Sequence, residues 1–418
     1  MEIFAARYVF PVVAPVLRDG AVGVQEGHIV AVGPAAAVRS AAGPDATFHD
    51  LGHAALFPGL VNAHLHLELS WLRADDLPSG DYVTWIAALL ARRAGGPPPA
   101  AQDAAARAIA SLVERGTVAV GDVANDLWTA RLLARSPLHA VVFHELYDLG
   151  AARAEATLRE AVGRLEANAR DPEVAAAAGR VRVALAAHAP HTTSVALLRA
   201  LAGRSGATGD PLSIHVAESR DELALLADGS GSLRALLRSR GACGDDWSPP
   251  GRSPIEHLRR IGALGPRTLA VHCVHLDGPD HRTLQASGAT VVTCPRSNAR
   301  LGVGRAPVAA LLRERVRVAL GTDSLASVPD LDLLAEMAAL RAVHPELAPA
   351  TILRMATLHG AQALGLADRL GSIEIGKLAL LVVLPLEASD DHPLETLCAV
   401  PRTVVRLADA PGALAGTP

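Results

Sequence analysis

Two histidines at the end of an apolar run are the first residues of this sequence that could carry chemistry. The stretch LFPGLVNAHLHLELS, residues 56–70, contains His64 and His66. Because successive side chains of a strand point to opposite faces, residues two positions apart share one face. A pair of imidazoles can bind a metal ion there, although histidine is also common at surfaces and as a hydrogen-bonded core residue. The interpretation of the pair therefore depends on the rest of the chain.

Other apolar runs also end in residues that could bind a metal or transfer a proton. Seven of the 17 histidines lie at such ends, together with one glutamate and one aspartate. In chain order these residues are His64 and His66, His188 and His191, His215 and Glu218, His272 and His275, and Asp323. Since buried polar side chains need partners, this distribution favours one shared site and strengthens the metal hypothesis.

Three imidazoles and one carboxylate form a ligand set that suits zinc or iron and leaves a position for water. The predicted ligands are His64, His66, His215 and Asp323. A metal ion held in this way lowers the pKa of its bound water to about 7. Glu218 lies three residues past His215, where a carboxyl group can transfer a proton. His272 is then left to orient the attacking water.

The apolar runs also predict the elements that position these residues. Eight short runs rich in Val, Ala and Leu alternate with longer segments that have helical spacing of Leu. The runs span residues 55–66, 117–124, 139–146, 181–190, 212–219, 268–276, 289–298 and 316–324. Buried parallel strands have this near-continuous apolar character. The pattern predicts an α/β protein with a TIM-like (β/α)8 barrel, whose chemistry lies at the C-terminal ends of the strands.

The two ends of the chain differ from the middle. Residues 1–55 and 368–418 contain short apolar runs separated by turn signals such as Asp-Gly and Glu-Gly. We expect them to form one small β-sandwich domain built from both termini. The barrel then occupies residues 56–367.

Composition excludes several kinds of partner. A formal net charge of −4 gives no basic surface for nucleic acid, and an aromatic content of 3% offers little stacking for bases. No uncharged run approaches the ~18 residues of a membrane span. Four scattered cysteines without CxxC spacing are typical of a reducing compartment. We therefore expect a cytoplasmic protein that acts on a small molecule and binds neither nucleic acid nor membrane.

Taken in order, the motifs resemble the amidohydrolase superfamily, and within it the branch of deaminases and chlorohydrolases that bind a single metal ion. The motifs are FPGLVNAHLH, HVAES, VHCVHL, CPRSN, GTDSLAS and GSIEIGK. The resemblance implies one divalent ion per chain, zinc or alternatively iron, on the predicted ligands. It implies that Glu218 transfers protons and that His272 acts beside it, with His275 as the alternative. It also implies a homodimer.

The resemblance further indicates residues that contact substrate. His191 corresponds to a histidine of the fourth strand's loop that often touches substrate in these enzymes. From their positions at strand ends we also predict substrate contacts from Glu68, Glu145 and Ser324, the last of which could instead cap the next helix. Weaker candidates around the same strand ends are Trp71, Arg73, Trp85, Cys294, Arg296, Ser297, Asn298 and Ser327.

A single lysine distinguishes between subtypes of the superfamily. Two-metal members bridge their ions with a carbamylated lysine at the end of the fourth strand. Lys377 is the only lysine of this sequence, and it lies in the predicted terminal domain. The resemblance therefore implies a site with one metal ion.

The motifs HLHLELSWLR, GDYVTWIAALLARR and CPRSNARLGVG most resemble the branch that includes aminodeoxyfutalosine deaminase of menaquinone biosynthesis. The implied reaction is hydrolytic deamination of an aminated heteroaromatic ring in an adenine-bearing nucleoside, either 6-amino-6-deoxyfutalosine or a 5'-modified adenosine. Glu218 would protonate the ring nitrogen, while Asp323 and His272 take and steer the proton of the attacking water. The alternatives are an aromatic-ring chlorohydrolase, a guanine- or cytosine-type deaminase, and a non-catalytic barrel, which the four retained ligands disfavour.

Overall fold

Fifteen β-strands form two sheets in the part of the chain that the computed structural model describes, residues 1–243, 247–399 and 403–409. The strands are β1 (Glu2–Val9), β2 (Leu17–Gln25), β3 (His28–Pro34), β4 (Thr47–Asp50), β5 (Ala54–Pro58), β6 (Leu60–Leu65), β7 (Thr117–Ala124), β8 (His139–Leu146), β9 (Val181–Ala187), β10 (Leu212–Val216), β11 (Thr268–His272), β12 (Thr290–Thr293), β13 (Arg317–Leu320), β14 (Leu381–Pro385) and β15 (Val405–Arg406).

Seventeen α-helices accompany these strands in the described ranges. They are α1 (Ala35–Ala41), α2 (Tyr82–Arg93), α3 (Ala101–Glu114), α4 (Thr129–Arg135), α5 (Ala154–Ala169), α6 (Pro172–Ala176), α7 (Val195–Thr208), α8 (Arg220–Asp228), α9 (Ser232–Ser239), α10 (Pro254–Ile261), α11 (Gly278–Ser287), α12 (Pro295–Arg300), α13 (Val308–Arg313), α14 (Leu333–Val343), α15 (Pro349–Arg354), α16 (Gly360–Ala363) and α17 (Pro393–Ala399). None of them is long and apolar enough to cross a bilayer.

Strands β6 to β13 form an eight-stranded sheet in which each strand lies beside its neighbour in the chain. A parallel bridge between Leu65, at the end of β6, and Asp323, just past β13, joins the two edges of this sheet. All eight predicted strands are therefore present, and the predicted (β/α)8 barrel is confirmed. Strands such as β7 and β8 are buried along their whole length, as expected for a parallel sheet covered on both faces.

The first predicted strand proves to be two strands. Residues 54–58 form β5 of the terminal sheet, and residues 60–65 form β6 of the barrel. Gly59 separates them at a place where a Cβ atom would lie 2.2 Å from Cγ1 of Val118. Its N–H donates to the carbonyl oxygen of Leu380 at 2.8 Å. Because the apolar run continues through this point, its pattern alone does not show the division.

The terminal strands form a separate seven-stranded sheet in the order β15-β14-β5-β1-β2-β3, with β4 beside β1. Alternate residues of these strands enter two apolar clusters, one containing Phe4 and Val22 and the other Ile3 and Ala21. The predicted β domain from both termini thus takes the form of one sheet with an apolar cluster on each face. Residues 400–402 and 410–418 of that predicted domain lie outside the described residues.

The chain divides into two compact units. One contains Met1–Asn62, Ser111–Ala119 and the described residues from Asp332 onward, and the other contains Ala63–Ala110 and Val120–Leu331. Every predicted site residue belongs to the second unit. The domain boundaries expected from the sequence, at 55/56 and 367/368, stay a prediction.

Candidate active site

The ends of three barrel strands deliver the predicted metal ligands. His64 lies in β6 with His66 directly after it, His215 lies in β10, and Asp323 follows β13. The backbone amides of Thr322 and Asp323 both donate to the carbonyl oxygen of His64 at 3.1 Å. These bonds hold the two edges of the barrel together at the site.

Gly321 allows this close approach of β13 to β6. A Cβ atom at Gly321 would lie 2.8 Å from the carbonyl oxygen of His64 and 3.1 Å from its nitrogen. A larger residue would push Asp323 away from the histidines, so the glycine of the GTDS motif serves the geometry of the site.

The four predicted ligand side chains converge within the barrel. The Nε2 atoms of His64 and His215 lie 3.3 Å apart. Oδ1 of Asp323 lies 3.6 Å from Nε2 of His66 and 4.0 Å from Nε2 of His64. Two groups of potential ligand atoms share His64: one adds His66 and Asp323, and the other adds His215 and His272.

These distances fit a bound divalent cation. Two nitrogens that each lie about 2.0–2.1 Å from one ion at a tetrahedral angle are about 3.4 Å apart, close to the separation of the His64 and His215 nitrogens. Nδ1 of His215 lies 2.9 Å from the carbonyl oxygen of His188, so it donates there and leaves Nε2 with its lone pair. Oδ2 of Asp323 accepts from Ser297 at 2.6 Å and Ser327 at 2.9 Å, which leaves Oδ1 for the histidine side.

The charge states of these groups also suit metal binding. Burial lowers the pKa of His64 well below its ordinary value, and burial lowers the pKa of His66 as well. Burial opposes ionisation of Asp323, but the charges of His66 and His272 and the two serine hydrogen bonds together lower the pKa of Asp323. Neutral imidazoles and an ionised carboxylate are the forms that bind a metal ion.

Glu218 and His272 stand together beside this group. Oε1 of Glu218 lies 3.5 Å from Nε2 of His272, and Nδ1 of His272 lies 3.0 Å from Oδ1 of Asn298, to which it can donate. Burial raises the pKa of Glu218 to about 7, against the lowering effect of His215. The Tyr82 hydroxyl also donates to this carboxylate. A carboxyl group with a pKa near neutrality is suited to proton transfer.

Left-handed backbone occurs at several of these strand ends. The φ angles are +53° at Ala217, +72° at His272 and +65° at Asp323. Residues other than glycine rarely adopt such angles, and strained backbone of this kind clusters at functional sites. At this site the left-handed backbone turns the chain near the ends of buried strands, so that the side chains of Glu218 and Asp323 face the other site residues.

The predicted substrate contacts differ in whether their polar atoms already have hydrogen-bond partners within the protein. Oε2 of Glu145 accepts from Nδ2 of Asn125 at 3.3 Å, whereas its buried Oε1 has no hydrogen-bond partner among the described residues. Glu145 also forms a group of potential ligand atoms with His188 and His215. The buried hydroxyl of Ser324 likewise has no partner in the described part of the chain. Both groups have capacity left for a ligand.

Glu68 and His191 make other contacts. The Glu68 carboxylate accepts from the backbone amide of Asn125 at 2.9 Å and lies 3.5 Å from Arg93. Burial raises its pKa to about 7, although Arg93 lowers it. Nδ1 of His191 lies 4.0 Å from Glu222, and burial lowers the His191 pKa to about 3. Their roles as substrate contacts stay predictions.

Several weaker candidates prove to support the site residues. Ser297, Ser327 and Asn298 hold Asp323 and His272 through the hydrogen bonds described above. Trp85 packs in an apolar cluster, with its indole N–H donating to the carbonyl oxygen of Ala326 at 3.1 Å. Trp71 lies against the same cluster.

Two buried carboxylates were missed by the sequence interpretation. Asp122 accepts from the backbone amide of Leu67 at 2.8 Å and from the Thr129 hydroxyl at 2.6 Å. Burial raises its pKa to about 6. Glu222, in the first turn of α8, accepts from the backbone amide of Glu218 at 2.9 Å. An acidic residue inside the apolar run TVAVGDVA was a signal for Asp122, since such a residue needs a partner.

With the geometry established, comparison with known proteins identifies the family. The model of the amidohydrolase family matches residues 55–407. The chain is a member of the amidohydrolase family. Among its relatives, a 5-methylthioadenosine/S-adenosylhomocysteine deaminase of Syntrophobacter fumaroxidans is 34% identical over 87% of this chain and 79% of the relative. An aminodeoxyfutalosine deaminase of Deinococcus radiodurans is 33% identical over 84% of each chain.

A solved structure extends this similarity to three dimensions. An adenosine deaminase from Xanthomonas campestris with bound zinc superimposes with a TM-score of 0.78 at 30% identity, over 96% of this chain and 90% of that one. The relatives of this amidohydrolase are thus adenosine-type deaminases. The predicted family, the barrel fold and a hydrolase acting on C–N bonds are confirmed. Divalent metal binding is typical of the family, and the His64, His66 and Asp323 group offers a site for it.

Proposed function

We propose that this amidohydrolase is a metal-dependent deaminase that hydrolyses the exocyclic C–N bond of an adenine-bearing nucleoside and releases ammonia. The observation that carries this proposal is the convergence of His64, His66 and Asp323 beside a buried Glu218 with a raised pKa. The names of its deaminase relatives support the same reaction.

His64, His66, His215 and Asp323 would hold one divalent ion, zinc in our proposal and iron as the alternative. The ion would supply a water of lowered pKa for attack at neutral pH. The Asp323 carboxylate would take the proton of the attacking water, which His272 Nε2 would orient, and would pass that proton to the amino group, which leaves as ammonia. Glu218, 3.5 Å from His272, gives a proton to the ring nitrogen next to the amino-bearing carbon, which makes that carbon more electrophilic.

Glu145 and Ser324 are the proposed contacts to the rest of the substrate. Oε1 of Glu145 lies 3.5 Å from Nδ1 of His215 and has no hydrogen-bond partner among the described residues. A buried oxygen of this kind stabilises a complex in which the substrate donates a hydrogen bond to it. The ribose hydroxyls of 6-amino-6-deoxyfutalosine or of a 5'-modified adenosine are such donors. We assign His191, as the resemblance implies, and also Glu68 to the same substrate pocket. A homodimer in the cytoplasm, with no nucleic-acid or membrane partner, completes the proposal.

The test is ammonia release by purified protein of measured metal content. The substrates are aminodeoxyfutalosine, methylthioadenosine, S-adenosylhomocysteine, adenosine, guanine, cytosine and a chlorotriazine. We expect ammonia from one or more of the adenine-bearing nucleosides. Ammonia from guanine or cytosine alone, or chloride from the triazine alone, would replace the proposal with one of its alternatives. Metal-loaded protein that turns over none of them would overturn it.

A further inference from the structure

The turn after β10 carries Glu218, and a second glutamate closes it. Ala217 has a left-handed φ of +53°, so the backbone leaves the strand abruptly and the amides of residues 217 and 218 leave the sheet's hydrogen-bond pattern. Oε1 of Glu222 accepts from the Ala217 amide at 3.0 Å, and Oε2 accepts from the Glu218 amide at 2.9 Å. One carboxylate therefore fixes both amides, one with each oxygen.

The same turn is bonded to the neighbouring strand end. The carbonyl oxygen of Ala217 accepts from the amides of Val274 and His275, both at 2.9 Å. The amide of Cys273 donates to the carbonyl oxygen of Val216 at 3.0 Å. These three donors directly follow His272, which has its own left-handed φ. The position of Ala217 thus determines where the His272 end of β11 lies.

Glu222 is itself held in place. Its exposure is 1%, and its own backbone amide donates to the hydroxyl of Ser219 at 3.2 Å. A buried carboxyl group is costly unless its hydrogen bonds are made. Both oxygens of Glu222 make theirs to the turn after β10, which favours this position of the side chain.

We infer that Glu222 is a positioning residue that holds the ends of β10 and β11 together so that Glu218 and His272 meet across 3.5 Å. The inference rests on the proposed function for the roles of those two residues. Glu222 itself touches neither the predicted metal ligands nor the reacting atoms. It acts through two backbone amides and the Ala217 carbonyl.

The variant Glu222→Gln tests this inference with little change of volume. A carboxyl oxygen keeps a lone pair in either protonation state, whereas the amide nitrogen of glutamine accepts nothing. One of the two backbone amides loses its partner. Because the turn then no longer holds Glu218 and His272 at their present separation, and a misplacement of about 1 Å can cost about 100-fold in rate, we expect kcat to fall about 10- to 100-fold. Metal content should be unchanged, because no predicted metal ligand contacts Glu222. KM should change less than kcat, since His191 is the proposed substrate contact near Glu222 and its Nδ1 lies 4.0 Å away.

Two further measurements separate positioning from general destabilisation. In a Glu218→Gln background, Glu222→Gln should cause almost no additional loss of kcat, since its effect passes through Glu218. Amide hydrogen exchange at residues 217, 218, 274 and 275 should accelerate in Glu222→Gln but not in Asp280→Asn. Asp280 is a matched control, because its buried carboxylate also accepts from a backbone amide, that of Asp277, at 3.3 Å, and lies in the helix cap of α11.

The outcomes distinguish this inference from the proposed function. An undiminished kcat in Glu222→Gln, or an equal loss with and without Glu218, would overturn the positioning role. If wild-type protein releases no ammonia from any substrate, the proposed function fails. The positioning role is then tested by amide exchange alone, and unchanged exchange in Glu222→Gln would refute it. Should Glu222→Gln fail to fold, Glu222→Asp, which keeps the charge but shortens the reach, carries the same measurements, with an expected loss of about 3- to 30-fold in kcat.

Discussion

The backbone just after β6 and the backbone just after β10 are each held by a buried carboxyl group, but the two segments carry residues of different function. After β6, Asp122 on the neighbouring strand accepts from the amide of Leu67, the residue that follows His66. After β10, Glu222 on the following helix accepts from the amides of Ala217 and Glu218. In both places a buried carboxyl group that takes no part in the proposed reaction accepts from the backbone at or beside a residue that does, His66 or Glu218.

Asp122 and Glu222 differ in the residue whose backbone they hold. Asp122 holds the backbone of a predicted metal ligand, so its loss should weaken metal binding. Glu222 holds the backbone of the proton-transfer residue, so its loss should slow turnover of protein that keeps its metal. The comparison teaches that the two functions of the site, holding the ion and moving protons, have separate supports and can be impaired separately.

The largest expected effect comes from removing a ligand at the β6 end. His66→Ala should lose its metal and at least about 1,000-fold of its activity, because the ion generates the nucleophile. Metal analysis of the purified protein and ammonia release measure the two effects. His28→Ala, an exposed histidine of the terminal sheet, is the control. Full activity in metal-free His66→Ala would refute the ligand assignment.

Removing the proton-transfer group at the β10 end should have the next largest effect. Glu218→Gln keeps the size of the side chain but cannot carry a proton, so kcat should fall about 100- to 10,000-fold. Metal content should stay at the wild-type level, which contrasts with His66→Ala. A variant with wild-type kcat would assign the proton transfer to another group.

The variant Asp122→Ala tests the support of the predicted metal ligands at the end of β6, because it removes the oxygen that accepts from the Leu67 amide. Metal affinity should fall about 10- to 100-fold, as is typical for residues that hold metal ligands. Competition with a chelator of known affinity measures this change. Saturating metal should restore most of the turnover of Asp122→Ala, whereas it should restore none in Glu222→Gln. Identical behaviour of the two variants would remove the distinction between the supports.

The smallest expected effect is a pH dependence of stability. Burial raises the pKa of Glu222 to about 8, above the value of about 4.3 for an unfolded chain. Between these values the folded state binds more protons, so the contribution of Glu222 to stability falls as pH rises. Glu222→Gln lacks this titration, and its cost should be smaller at about pH 8.5 than at about pH 5.5. Urea unfolding at fixed metal saturation measures the cost, and a cost that grows with pH would contradict the raised pKa.

The reacting groups could be predicted from the sequence because each stands at the end of a buried strand, where a polar residue is anomalous. Eight such ends in one barrel bring His64, His215 and Asp323 together without further information. The supports depend on contacts that local patterns do not reveal. Asp122 holds an amide 55 positions earlier in the chain, and nothing in TVAVGDVA names that partner.

Glu222 shows how a local pattern can mislead. Ser219 and Glu222 have the spacing of a capping box, in which the glutamate binds the amide of the cap residue. The serine does cap α8, but the glutamate reaches past it to the amides of Ala217 and Glu218. The left-handed turn at Ala217 moves those amides within its reach, and that turn follows from tertiary packing rather than from residue preference. The division of the first predicted strand at Gly59 was missed for a similar reason, since it depends on the nearby Val118.

The central claim is that one metal ion at the end of the barrel strands supports deamination. The most direct measurement follows ammonia release from the adenine-bearing nucleoside that the protein turns over fastest, while zinc is added back to metal-depleted protein. We predict a rate that rises in proportion to bound zinc and reaches a plateau at one equivalent per chain. Ammonia release that does not depend on the metal, or a rate that keeps rising to two equivalents, would contradict the claim.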